Sequence, residues 1–196
     1  MALDLSAVSD EALMVLYANG DATAARVLTV RLTPRILGYA ARMLGGDRAE
    51  AEDVAQEAML RLWRVAPEWR QNEARVSTWA YRVVTNLCTD RLRVRVRRPA
   101  TPLDDAPEVA SDATGAVAGL IEADRMAALQ TALSALPDRQ RQAVVLRHIE
   151  GMTNPEIAVI MDLGVEAVES LTARGKRNLA ALLSGQREAL GYEDSE

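Results

Sequence analysis

Two stretches decide the fold of this chain: residues 47–64, DRAEAEDVAQEAMLRLWR, and residues 77–98, STWAYRVVTNLCTDRLRVRVRR. Both have apolar residues at helical spacing, so both predict helices. At 100° per residue, the core face of the first is formed by Ala51, Val54, Ala58, Leu62 and Val65. The inner side of the second is formed by Ala80, Val83, Leu87, the stem of Arg91, and Val94.

Each predicted helix also carries a second stripe away from its core. On the first helix the stripe consists of Glu52, Gln56, Met59 and Trp63, within roughly 60° of one another. Trp and Met are enriched in interface cores, which favours a protein partner. The alternative is that Trp63 simply covers a neighbouring helix.

On the second helix the stripe lies about 120° from the core and consists of Arg82, Asn86, Thr89, Arg93 and Arg97. Arginine runs are usually solvated surface, but their alignment here favours contact with phosphates. The loop between the two helices contains Trp69, Arg70, Gln71, Asn72 and Arg75. A loop of this composition can hold an unstacked base by aromatic stacking and amide contacts.

Two further helices precede this stretch. The first is predicted over residues 10–19, capped by Ser9 or Asp10 and stopped by Gly20. Asp21 caps the second, in which we expect a kink or short break at Pro34 because proline lacks a backbone donor. The core face of that helix should hold Leu28, Leu32, Ile36, Tyr39 or Ala40, and Met43.

Residues 99–119 are rich in Pro, Ala, Asp and Gly and predict a flexible linker between two domains. After it, Pro137 can open one helix, and Thr153 or Asn154 caps another. The spacing typical of a helix-turn-helix is shown by Ile157, Ala158, Met161, Leu163, Val168 and Leu171. An ordinary helical hairpin is the alternative. The prediction is thus all-α: a domain over residues 1–98, a linker over 99–119, a second domain over 120–184, and an acidic tail over 185–196.

Composition excludes several classes of function. The net charge is −5, yet residues 1–98 hold 15 arginines against 12 acidic residues, which fits nucleic-acid binding better than the overall charge suggests. Cys88 and His148 are the single cysteine and histidine, too few for a conventional zinc site; we expect Cys88 to be buried and His148 to lie on the surface. No catalytic or cofactor-binding motif is present. No apolar run approaches the roughly 20 residues needed to cross a bilayer, and the start lacks a secretory signal, so we expect a cytoplasmic protein without membrane insertion.

Residues 13–183 resemble the extracytoplasmic-function (ECF) sigma factors, the smallest initiation factors of bacterial RNA polymerase. The resemblance is carried by AEDVAQEAMLRLWR, STWAYRVVTNLCTDRLR and LPDRQRQAVVLRHIEGMTNPEIA, in this order across an acidic linker. It implies two helical domains, region 2 and region 4, which bind core RNA polymerase and direct it to promoters. It also implies control by an anti-sigma factor.

The resemblance assigns roles to residues at matching positions. Docking on core polymerase would involve Glu52, Gln56, Glu57, Met59 and Trp63. Recognition and melting of the −10 element, as single-stranded DNA, would involve Arg70, Gln71, Asn72, Arg75, Trp79, Arg82, Asn86 and Arg93. Contact with the double-stranded −35 element would involve Glu169, Ser170, Ala173, Arg174, Lys176 and Arg177.

The chain departs from the family pattern in its recognition helix. Val168 is followed by Glu169 where relatives often carry a basic residue, and Asp162 replaces the usual turn glycine. A glutamate can accept a hydrogen bond from cytosine but repels phosphate, so this surface could instead serve a protein partner. Two alternative functions stand beside the sigma factor: a helix-turn-helix regulator that acts without polymerase, and a helical interaction protein that binds no DNA.

Overall fold

The computed structural model describes residues 5–69, 75–97 and 116–184, and every regular element in these ranges is helical, as predicted. The helices are α1 (Asp10–Ala18), α2 (Ala22–Met43), α3 (Arg48–Val65), α4 (Val76–Arg97), α5 (Ala116–Ser134), α6 (Asp138–Val144), α7 (Asn154–Met161) and α8 (Val165–Ser184). Short 3₁₀ turns span Leu5–Ala7 and Ala66–Glu68, and a π-helical segment, Val145–Ile149, continues α6.

Side-chain caps fix where the helices begin. Asp21 Oδ1 accepts from the backbone N–H of Thr23 at 2.8 Å, and Asp47 Oδ1 accepts from that of Glu50 at 3.0 Å. Ser9 caps α1, and Thr153 caps α7 in a reciprocal capping box with Glu156. The caps predicted from sequence are confirmed, and where two residues were possible the structure selects Ser9 and Thr153.

Of the kink or short break predicted at Pro34, the break is wrong, because α2 runs without interruption from Ala22 to Met43. Pro34 is exposed, while Leu32 and Ile36 beside it are fully buried. Packing of this buried face holds the helix together where proline removes one hydrogen bond.

Arg31, at the middle of α2, ties down the start of the described chain. Its Nη1 donates to the Val8 carbonyl at 2.6 Å and to Asp10 Oδ1 at 2.9 Å, and its Nη2 donates to the carbonyls of Leu5 and Ser6. One guanidinium therefore satisfies the end of the 3₁₀ turn and the start of α1 together.

Helices α1–α4 form the N-terminal half around a single core. All of the α2 residues predicted for the core are buried, as are four of the five predicted in α3; Val65 is half-buried. Tyr39 and Tyr81 meet edge to face at 5.4 Å, and the hydroxyls of Tyr39 and Thr85 are 2.9 Å apart. Burial raises the pKa of both tyrosines, so both phenols are neutral at physiological pH.

Helices α5–α8 form the C-terminal half, in which α7 and α8 make the predicted helix-turn-helix. Val168 and Ile157 are both fully buried beneath it. The turn is made by Asp162, which adopts the left-handed conformation at φ 53°. Gly175 lets α8 approach α6 closely, since a Cβ atom there would lie 2.6 Å from Val144 Cγ2.

The two halves pack against each other, chiefly through α7 on α4 and through α5 on α2. The predicted inner side of α4 is wrong in part, because α4 packs on α2 and α3 as well as on α7. Val94 is 52% exposed, whereas the buried face contains Tyr81, Val84, Thr85 and Cys88. The sequence periodicity predicted one buried side of α4, but the helix is covered from two sides, by the N-terminal half and by α7.

Most of the predicted linker lies outside the described residues, as does the acidic tail. The last four residues of the predicted linker, 116–119, belong to α5, so the C-terminal helices begin at Ala116 and not near residue 120. Within the described ranges, no helix is both long and apolar enough to cross a membrane.

Candidate functional site

A groove of about 460 Å³ runs between α2 and α3. Its wall on α2 is formed by Thr29, Thr33 and Leu37, and its wall on α3 by Glu52, Ala55, Gln56, Met59, Leu60 and Trp63. We call it the α2–α3 groove. Leu60 is 43% exposed at its edge, and the Thr33 hydroxyl is buried without a hydrogen-bond partner in the described part of the chain. The groove therefore presents a largely apolar surface.

Four of the five residues predicted for polymerase docking line this groove. Glu52 and Gln56 are exposed and Trp63 is half-buried. Met59 was predicted on the surface, but it is only 7% exposed, because the close approach of α2 covers it. Glu57 lies outside the lining; Arg61 Nε donates to it at 2.8 Å, and this bond lowers the pKa of the Glu57 carboxyl.

Trp63 also packs edge to face on Tyr17 of α1, with ring centroids 4.8 Å apart. The alternative considered from sequence, that Trp63 covers a neighbouring helix, is therefore confirmed in part. The same ring lines the groove on its other side. Trp63 is thus positioned by α1 and available to a partner.

The exposed side of α4 carries Arg82, Asn86, Arg93 and Arg97, which we call the α4 stripe. Thr89, expected on this stripe, turns away: Gln142 of α6 donates to its hydroxyl at 3.3 Å. Arg93 Nη1 lies 3.6 Å from Asp90 Oδ1, and the two side chains are 68% and 71% exposed. Such an exposed pair is weak, so Arg93 can exchange Asp90 for a phosphate.

Not every arginine at the end of α4 belongs to this stripe. Arg95 Nη2 donates to Asp47 Oδ2 and Glu50 Oε2, both at 2.7 Å, and so fastens α4 to the first turn of α3. Arg91 Nη1 lies 3.9 Å from Asp53 on the same helix. These two arginines bridge helices, and their charge is already matched.

Of the loop residues predicted to meet a melted strand, Arg70, Gln71 and Asn72 lie outside the described residues. The flanks of the loop are described. Trp69 and Trp79 meet edge to face at 6.4 Å, both half-buried. Arg75 Nη1 donates to Glu156 Oε1 of α7 at 3.1 Å, so this predicted DNA contact is paired with the C-terminal half.

The six residues predicted to contact the −35 element all lie exposed on α8. Asn154 Nδ2, at the start of α7, donates to Glu169 Oε1 at 3.2 Å, which steadies the glutamate that sets this helix apart. His148 is largely exposed, but partial desolvation of its ring, followed by the nearby charges of Lys176 and Arg147, lowers the pKa of the imidazole. The neutral imidazole therefore sits beside cationic side chains.

Comparison with known proteins identifies the family of this chain. The Sigma-70 region 2 model matches residues 28–98, and the Sigma-70 region 4 model matches residues 126–179. The ECF RNA polymerase sigma factor SigM of Mycobacterium tuberculosis is 37% identical over 175 residues, covering 89% of this chain and 85% of the relative. The chain is an ECF sigma factor.

Two further likenesses agree with this membership. The ECF RNA polymerase sigma-E factor of Escherichia coli is 29% identical over 178 residues, covering 86% of this chain and 91% of the relative. The structure of CnrH in complex with the cytosolic domain of CnrY superposes with a TM-score of 0.66 at 26% identity, covering 90% of this chain and 97% of that chain. An ECF sigma factor directs RNA polymerase to promoters, which is the function the sequence predicted.

In this sigma factor the region 2 match contains both the α2–α3 groove and the α4 stripe, and the region 4 match contains the helix-turn-helix. Sequence reasoning missed the α2 wall of the groove. Thr29, Thr33 and Leu37 follow one another at spacings of four, a signal that could have marked a second face of α2. It was obscured because Thr29 and Thr33 are polar.

Cys88 has no part in these surfaces. It is fully buried, as predicted, and burial raises the pKa of its thiol to about 12. Among the described residues, no group of three His, Cys, Asp or Glu side chains could hold a metal ion.

Proposed function

We propose that this sigma factor divides its work among three surfaces. The α2–α3 groove docks on core RNA polymerase, the α4 stripe with the loop before it contacts the melted −10 strand, and the exposed face of α8 contacts the −35 duplex. The protein acts by binding and not by catalysis, in the cytoplasm, where its polymerase works.

One observation carries this assignment: two surfaces of different chemistry lie on helices that are fastened to each other. The groove is lined by Leu37, Leu60 and Trp63, which suits the apolar core of a protein interface. The α4 stripe is polar and cationic, which suits a polyanion. Because Arg95 holds α4 to the start of α3, polymerase on one surface and DNA on the other would be held in a fixed relation.

Melting and recognition can then be one event. Unstacking a base costs a few kcal/mol, which a protein pocket can offset with stacking and hydrogen bonds. The Trp69–Trp79 pair borders the loop before α4, and Arg82 and Asn86 are exposed on the following turns of α4. In the described part of the chain Arg82 has no acidic partner, so it can bind phosphate without breaking an ion pair.

For the −35 element, we propose that Glu169 accepts a hydrogen bond from a cytosine amino group. Asn154 orients the carboxylate, and Lys176 and Arg177 farther along α8 supply phosphate contacts. Glu169→Gln should relax discrimination at one base pair. An equal loss of affinity for all promoters would instead favour a protein partner for this surface.

The docking assignment is tested with Gln56→Ala and Trp63→Ala, measured as affinity for core polymerase. Both should weaken binding. Gln56 is the sharper probe because it is exposed, whereas Trp63 also supports α1. Arg26→Ala, at an exposed arginine on α2 outside the groove, is the matched control. Unchanged affinity in both groove variants would rule out the docking role.

The melting assignment is tested by charge reversal, Arg82→Glu and Arg93→Glu, with promoter opening followed by permanganate reactivity of unpaired thymines. Opening should be lost while core binding persists. Opening at the wild-type level would remove the α4 stripe from the mechanism and favour a regulator that works without melting. Run-off transcription with core polymerase on a genomic promoter library would then define both promoter elements.

We also propose that an anti-sigma factor holds this chain inactive. The support is that the similar protein CnrH is found with the cytosolic domain of CnrY bound, and that the groove here is apolar enough to receive a helix. An inhibitor in the groove would compete with core polymerase. Saturating polymerase should therefore displace it, and a stable ternary complex would contradict shared use of the groove.

A further inference from the structure

A single carboxylate joins the two halves of this chain. Glu150, which follows the π-helical segment of the C-terminal half, has a side chain only 8% exposed. It enters a site built by the N-terminal half. Tyr81 of α4 donates its hydroxyl to Glu150 Oε2, and Arg42 Nη1 of α2 lies 3.7 Å from Oε1.

The tyrosine that receives this carboxylate is itself held in place. The Tyr81 ring packs edge to face on Tyr39 and lies beneath the guanidinium of Arg35, 5.7 Å from its ring centroid. Tyr39 is in turn hydrogen-bonded to Thr85. Since burying a carboxylate is costly unless it is bonded, a prearranged donor and a nearby cation make this one of the few places where Glu150 can leave water.

Three further hydrogen bonds join the two halves. Gln142 donates to Thr89 at 3.3 Å, Gln130 donates to the Arg42 carbonyl at 3.4 Å, and Arg75 pairs with Glu156 at 3.1 Å. The last bond occupies a residue that the proposed function assigns to the −10 strand. In this arrangement, the C-terminal half therefore competes with DNA for Arg75.

The closed arrangement is too small to read a promoter. The positions for which the −10 and −35 elements are named lie about 25 base pairs apart, or about 85 Å along the duplex at about 3.4 Å per pair. A compact chain of this length has a radius of gyration of about 16 Å and is roughly 40 Å across. Reading both elements at once thus requires the halves to separate. The 18 residues that join the halves, 98–115, set the limit of that separation, because they can span at most roughly 60 Å.

We propose that Glu150 is an intramolecular latch that holds the free sigma factor closed, with region 4 covering one side of α4, and that promoter engagement withdraws it from Tyr81 and Arg42. This inference rests on the proposed function for its consequence in transcription. The latch itself is a property of the free chain and can be tested without polymerase.

The test measures the distance between the halves by double electron–electron resonance. Spin labels are placed at Thr23→Cys on α2 and Ala180→Cys on α8, both exposed positions, while the buried Cys88 stays unlabelled. The free wild-type chain should give one narrow distribution. Its complex with core polymerase and promoter DNA should give a longer distance.

Two latch variants alter the two partners of the Tyr81–Glu150 hydrogen bond. Glu150→Gln removes the charge, and Tyr81→Phe removes only the donor hydroxyl, so the two variants test the same bond by different and small changes. Each should raise the ratio of open to closed chains roughly tenfold, as expected for a hydrogen bond to a charged group. The double variant should open no further than the more open single variant, because both remove the same interaction. Asp124→Asn, at an exposed acid of α5, should behave as wild type.

A free wild-type chain with the long distances of the promoter complex would overturn the latch, as would variants that leave the distribution unchanged. Neither result would affect the proposed function, which depends on the Gln56 and Arg82 variants. Conversely, a chain that opens in the latch variants but supports no transcription with any core polymerase would retain the latch and refute the proposed function.

Discussion

The rings of Tyr17 and Trp63 meet edge to face 4.8 Å apart, which makes α1 a brace for the α2–α3 groove. Tyr17→Ala should lower the free energy of unfolding by about 1–2 kcal/mol, since an aromatic pair contributes about 0.5–1.5 kcal/mol beyond the area it buries. It should also weaken core-polymerase binding, because Trp63 loses its orientation. Urea denaturation and a binding titration measure the two effects.

Tyr17→Phe is the control for that experiment, because it keeps the ring and removes only the hydroxyl. It should leave stability and binding near wild type. If Tyr17→Ala bound polymerase as tightly as wild type, Trp63 would need no brace.

Arg93 and Arg95 are two residues apart on α4, but their alanine variants should change different properties, DNA binding for Arg93 and stability for Arg95. Arg95→Ala breaks the bonds to Asp47 and Glu50 and should cost about 1 kcal/mol of stability, a modest value because the side chain is 42% exposed. Arg93→Ala should leave stability within about 0.5 kcal/mol. It should instead reduce the slope of log affinity against log salt for promoter DNA by about 1. A salt slope that changed only in Arg95→Ala would reverse these roles.

Gly175→Ala should destabilise the C-terminal half, although alanine favours helices by about 1 kcal/mol over glycine. The new methyl would lie 2.6 Å from Val144 Cγ2 and 3.1 Å from the Gln140 carbonyl. Overpacking of this kind costs about 1–3 kcal/mol, so the net effect should be a lower melting temperature. Gly38→Ala is the contrast, because its methyl meets only the flexible end of Arg42 at 3.0 Å. A higher melting temperature for Gly175→Ala would show that α8 and α6 can move apart.

Glu156 makes stability depend on pH in the acid range. The hydrogen bond from Thr153 lowers the pKa of this carboxyl below its ordinary 4.5, and Arg75 adds to the effect. Because the folded-state pKa is below the unfolded one, the stabilisation is fully present above pH 4.5 and is lost as the pH falls through the folded value. Glu156→Gln should therefore lower stability at neutral pH and reduce its loss in acid, as followed by urea denaturation. Glu166→Gln, an exposed acid on α8, should retain the wild-type profile.

The capped starts of α2 and α3 and the α2 core were predictable because they depend on local chemistry. Asp21 and Asp47 cap helices through backbone groups only two or three residues away, and Leu28 to Met43 recur at helical spacing. The helix-turn-helix was predictable for the same reason. Its turn shows how an unusual residue can be accommodated: Asp162 takes the left-handed conformation that glycine usually supplies.

The errors arose where tertiary contacts decide exposure. Met59 has the angular position of a surface residue, yet α2 covers it. Thr89 lies on the line of the arginines, yet Gln142 binds it. Neither partner is near in sequence, so periodicity within one helix cannot predict these contacts. The same limit hid Glu150, whose partners come from α2 and α4.

The three tryptophans of the chain, Trp63, Trp69 and Trp79, all belong to the N-terminal half. One lines the groove and the other two border the loop before α4. Tryptophan fluorescence of this protein therefore reports on region 2 alone. Quenching or spectral shifts can follow polymerase and DNA at those two places without a dye, while events confined to the helix-turn-helix remain dark.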